Sequence, residues 1–126
     1  MNLIRPARAL ALAGAITVAL FAAEPVVTQA KKQIADKKYD EAITSLEAAS
    51  KANPKSVEVK NTLVEALLAK ADSVMADDAA PPRTKYPTAL RTYRQVLTVD
   101  KDNKKAQTNI ATIEGIYKSM GRPIPQ

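Results

Sequence analysis

Lys38-Tyr39-Asp40-Glu41-Ala42-Ile43 returns later in the chain as Lys85-Tyr86-Pro87-Thr88-Ala89-Leu90, and each copy opens a run in which apolar residues recur every three or four positions. That spacing gathers the apolar side chains on one face of a helix. The first run places Ala42, Ile43, Leu46, Ala49 and Ala52 on such a face and stops at Asn53-Pro54, because a residue before proline resists the α region. The second carries Ala89, Leu90, Tyr93, Val96 and Leu97 and ends near Asp100. A repeated helix-opening segment marks a unit that cannot bury its apolar face alone and stacks on a copy of itself.

Three further helices follow from the same periodicity. One is expected from about Pro25 to Asp36, with the proline in the first turn, where its missing N–H costs nothing. Another starts after Ser56, a candidate N-cap, and shows the stripe Val59, Leu63, Ala66, Leu67 and Lys70 or Ala71 before running on to Val74-Met75. The last begins near Asn103, uses Ala106, Ile110, Ile113, Ile116 and Tyr117, and meets a glycine and a proline at Gly121-Arg122-Pro123. Asp77-Asp78-Ala79-Ala80-Pro81-Pro82 reads as the one clear loop after the N-terminal segment. No β-branched alternation is long enough for a sheet, so the fold class is all-α, with short connections giving antiparallel helical hairpins.

The first 23 residues have the layout of a secretory signal: Arg5 and Arg8 without an acid, then fifteen uncharged residues from Ala9 to Ala23, then Glu24-Pro25. As a helix those fifteen would rise roughly 22 Å, short of the ~30 Å hydrocarbon core of a bilayer. A cleaved signal at 1–23 and a periplasmic or secreted product are therefore expected, with an uncleaved membrane anchor as the alternative. Residues 24–120 then form one helical domain with an insertion around 70–82, followed by a tail at 121–126.

The chain of 126 residues contains neither cysteine nor histidine. Disulfides, thiolate and imidazole metal ligands, Ser-His-Asp and Cys-His nucleophile systems and a histidine proton switch are thereby excluded. No cofactor or metal site is expected, and no catalytic constellation can be assembled from the remaining carboxylates, lysines and hydroxyls. The net charge of +6 comes from basic residues dispersed among acids. Lys31-Lys32, Lys37-Lys38 and Lys104-Lys105 lack aromatic interleaving, so a solvated surface outweighs nucleic-acid binding. Asp77-Asp78 falls short of a calcium loop and keeps its connection soluble.

The repeat resembles the tetratricopeptide family, whose helix-turn-helix unit of about 34 residues alternates small and large residues at fixed places. In the first copy Ala30, Tyr39, Ala42, Leu46, Ala49 and Pro54 match those places in order, and Lys37 stands where the turn glycine is commonest. In the second copy Tyr86, Ala89, Tyr93 and Val96 match, while Lys101 replaces the proline. Ala42 and Ala89 lie 47 residues apart, about 13 more than one repeat, and the surplus sits between the two helices of the second copy. The resemblance implies about two repeats plus a C-terminal capping helix. Tyr39, Tyr86 and Tyr93 occupy family positions, which makes them packing residues rather than stacking platforms.

Relatives of that kind bind extended peptides or protein surfaces along their first helices. Carried onto this chain, the exposed positions there are Val27, Thr28, Lys31 and Ile34, then Asn61, Thr62, Glu65 and Leu68, then Lys105, Thr108, Asn109 and Thr112. The partner-binding groove is accordingly expected at Lys31, Ile34, Asn61, Thr62, Glu65, Leu68, Lys105 and Asn109. Some relatives grip a C-terminal carboxylate with lysines and asparagines, which Lys31, Asn61 and Asn109 echo in part. The expected function is a non-catalytic scaffold or adaptor in the cell envelope that binds a protein or peptide. The alternative is a structural, self-associating component that buries open repeat faces in a homo-oligomer. Membrane contact is expected only through an uncleaved N-terminal segment.

Overall fold

A computed structural model describes the backbone of residues 15–126 and the side chains from residue 25 onward. The expected signal segment at 1–23 thus lies outside the fully described residues. Among the described residues there are five helices and no strand: α1 Ala15–Ala35, α2 Tyr39–Ala52, α3 Val57–Ala76, α4 Pro82–Val99 and α5 Lys104–Ser119. No helix among them is long and apolar enough to cross a membrane.

Two helix starts differ from the sequence reading, and both involve proline. α1 begins before Pro25, which lies inside the helix and not in its first turn. Pro25 forfeits one bond to the carbonyl four residues back, but the alanine-rich stretch before it favours helix strongly enough to continue through that loss. α4 begins at Pro82, so the second Lys-Tyr segment is not a helix start and Pro87 lies within the helix. Here Pro82 supplies a preset φ at the first helical position, and the amides of Thr84 and Lys85 both donate to the Pro81 carbonyl at 2.9 Å. The helix is nucleated before Pro87 can interrupt it. Most of the insertion is therefore helix, and the connection between α3 and α4 is short. Asp77 shapes it by accepting the Ala79 N–H at 3.0 Å.

The remaining ends follow local chemistry. Ser56 caps α3 by accepting the Val59 N–H at 3.3 Å, and Asn103 caps α5 by accepting the Ala106 N–H at 3.0 Å. α1 and α5 end in the same paired backbone turn. After α1, Lys37 N–H donates to the Ile34 carbonyl and Lys38 N–H to that of Gln33; after α5, Gly121 donates to Lys118 and Arg122 to Tyr117. The residue at the centre of each turn has a left-handed φ, +61° at Lys37 and +63° at Gly121. The reversal at Gly121 brings the last residues back over α4, where Arg94 donates to the Pro125 carbonyl at 2.7 Å and to Glu114 at 3.2 Å. Ile124 packs against the core there.

Every helix contributes an alanine with no exposed surface: Ala30, Ala42, Ala66, Ala89 and Ala106. Small side chains at a crossing let helix axes approach closely, and Leu46, Leu67, Leu90, Tyr93 and Ile113 fill the space around them. Consecutive helices pack on one another, and α1 also packs directly on α3. α5 is different: it packs on α4, and its approach to α3 is slight, with an ion pair between Lys105 and Asp72 bridging the two.

Candidate functional site

The separation of α5 from α3 leaves a groove of about 400 Å³, lined by Asn61, Val64, Glu65, Leu68, Ala69 and Asp72 of α3 and by Lys105 of α5. The α3 residues recur every three or four positions, so they form a second stripe beside the buried one of Val59, Leu63, Ala66, Leu67 and Ala71. One helix thus faces the core along one line and the groove along the next. Val64 and Leu68 are half-buried against the core and give the groove an apolar floor. Asn61 and Glu65 are exposed. Neither side chain has a hydrogen bond or ion pair among the described residues.

A polar knot closes one end of this groove. The Asp72 carboxylate accepts the Tyr93 hydroxyl on one oxygen at 2.6 Å and the Lys105 ammonium on the other. Tyr93 comes from α4, so three helices meet at a single carboxylate. Burial pushes the Tyr93 phenol well above its ordinary pKa of 10.0; donation to Asp72 and the negative charge of that group act in the same direction, and the nearby Asn109 side chain acts against them. The tyrosine is 1% exposed, which keeps it out of a ligand's reach and gives it a positioning role. Lys105 stands in the first turn of α5, which has no acid of its own. A cation there opposes the helix dipole, and pairing with Asp72 offsets that cost.

The structure brings together four of the residues expected at a partner groove: Asn61, Glu65, Leu68 and Lys105. Thr62 does not belong with them. It is buried, with its hydroxyl donating to the Glu58 carbonyl at 2.8 Å; a hydroxyl satisfied within its own helix leaves the methyl free to face the core. Val27 is likewise buried and Ile34 half-buried against the core. Lys31 is exposed on α1, and neither it nor Ile34 lines this groove. Asn109 does not line the groove; its side chain lies near the Tyr93 hydroxyl. Asp72 and the Tyr93 hydroxyl were not anticipated as part of a site, although Asp72 lies one helical turn beyond Leu68 on the same stripe.

A second depression of about 550 Å³ lies among the turn at Lys37, the end of α3, the following loop and the start of α4, bordered by Asp77, Thr84 and Lys85. Among the described residues no group of His, Cys, Asp or Glu is arranged to hold a metal. No family model, curated protein or solved structure matches this chain.

Proposed function

We propose that this chain is a non-catalytic binding scaffold of tetratricopeptide type, exported to the cell envelope, that holds a protein or peptide segment in the groove between α3 and α5. One observation carries the reading: Asn61, Glu65, Leu68 and Lys105, selected by their place on alternate helices, line a single groove with an apolar floor, and above it the side chains of Asn61 and Glu65 have no partner among the described residues. Such a surface suits an extended chain, whose side chains fill the floor while its polar groups meet the rim.

The self-associating alternative calls for an open apolar face. Among the described residues the exposed large hydrophobics are Val57 and Met120, on different helix ends, so less supports it. Affinity capture from source-cell extract tests the scaffold reading, using the full chain and variants Asn61→Ala and Leu68→Ala. A partner retained by the parent and lost by both variants, at unchanged helicity, supports it. Capture indifferent to both substitutions places the binding surface elsewhere and refutes the groove.

A further inference from the structure

The groove differs in charge from the chain around it. The whole chain carries +6, yet the charged side chains lining the groove are Glu65, Asp72 and Lys105. Asp72 and Lys105 neutralise each other, and the second Asp72 oxygen is taken by Tyr93. Glu65 is left as one uncompensated carboxylate, exposed, with the Asn61 amide one helical turn before it and the apolar Val64 and Leu68 alongside. A carboxylate at the edge of an aliphatic floor complements a side chain with an apolar stem and a cationic head. Arginine fits best, because its planar fork can donate two hydrogen bonds to the Glu65 carboxylate and another to the Asn61 carbonyl.

We infer that the groove selects an extended peptide segment bearing an arginine next to an aliphatic residue, the guanidinium on Glu65 and the aliphatic side chain on Val64 and Leu68. This rests on the scaffold reading above and adds the chemistry of the ligand. The positive charge of the chain does not forbid it, since unpaired surface charges are screened beyond about 8 Å at physiological ionic strength and the contact pair decides. An acidic segment would be drawn to the dispersed lysines but would meet repulsion from Glu65 inside the groove.

Two fluorescein-labelled peptides of identical aliphatic content, blocked at both ends, with arginine or glutamate at the centre, test this by fluorescence anisotropy against the full chain. The arginine peptide is expected to bind at least about tenfold more tightly than the glutamate peptide, a ratio within reach of one charge-assisted pair. Glu65→Gln should weaken the arginine peptide by about tenfold without changing the melting temperature, and Glu65→Lys should reverse the order. Equal affinities, a preference for glutamate, indifference to Glu65→Gln, or no binding of either peptide would overturn the inference. A captured partner that depends on Asn61 and Leu68 but not on Glu65 removes the arginine preference and leaves the scaffold standing. Independence from all three residues removes both.

Discussion

Lys37→Gly should stabilise the protein, although it deletes a side chain and adds no contact. Lys37 holds φ +61° at the centre of the turn that ends α1, a conformation that costs an L-residue roughly 1–2 kcal/mol. Glycine adopts it freely but has more entropy to lose on folding, which returns roughly 0.5–1 kcal/mol. The turn is held by backbone bonds, Lys37 N–H to Ile34 at 3.0 Å and Lys38 N–H to Gln33 at 2.8 Å, and these survive the substitution. The exposed lysine side chain makes no hydrogen bond or ion pair among the described residues. The net expectation is a gain of about 0.5–1 kcal/mol, seen as a rise in melting temperature of roughly 2–8 °C for a domain of this size, and as a higher urea midpoint at unchanged m. Lys37→Gln is the control for charge, because it removes the cation and keeps the strained φ; it should be near neutral. Gly121 gives the reciprocal case. It holds φ +63° with nothing within 4 Å of an added Cβ, so Gly121→Ala should cost about 1 kcal/mol from conformation alone. A midpoint lowered by Lys37→Gly, or unchanged by Gly121→Ala, would refute the account of these two turns.

Tyr93→Phe removes the hydroxyl that donates to Asp72 at 2.6 Å and should cost about 1.5–3 kcal/mol near neutral pH, the range for a hydrogen bond to a charged group. Because the folded phenol ionises above its ordinary 10.0, the stability it confers is fully present below that pH and is lost as pH rises through the folded value. Urea titrations at about pH 8 and pH 11 should therefore show parent and variant converging under alkali; a constant gap would count against the buried phenol. Ala42→Leu forces a larger side chain into a position with no exposed surface on α2 and should destabilise by about 1–3 kcal/mol, while Ala48→Leu on the exposed side of the same helix should change stability by about 0.5 kcal/mol or less. Equal effects in chemical denaturation would show that Ala42 does not set the approach of neighbouring helices.

The ends of α2, α3 and α5 were legible because each is set by local chemistry: the Asn53-Pro54 break, the Ser56 and Asn103 caps, the glycine at 121. The starts of α1 and α4 were not, since Pro25 reads as a first-turn residue and Lys85-Tyr86 as a helix opening, whereas Pro25 and Pro87 both lie inside their helices. A single lost backbone bond is local, whereas helix continuation sums over all flanking residues. Thr62 misled for a related reason. Its place in the resemblance implies an exposed side chain, but the bond to Glu58 satisfies the hydroxyl inside the helix and the residue is buried. Asn61, Glu65, Leu68 and Lys105 were expected together from the positions that the tetratricopeptide resemblance implies, and the structure places the four along one groove. The implied family positions leave out Asp72, although helical spacing continues the stripe to it.

The sequence by itself determined an all-helical chain and, in α2 to α5, the apolar stripe that carries a buried alanine, because periodicity and caps act within a few residues. Only the tertiary structure decided that α5 stands apart from α3 while α1 packs against it, and that Asp72 joins Tyr93 and Lys105, 21 and 33 residues away. A helical face specifies a direction and not the neighbour it meets. That neighbour depends on how far each pair of helices can close, which the volumes of Leu67, Leu90 and Tyr93 set jointly in the packed core.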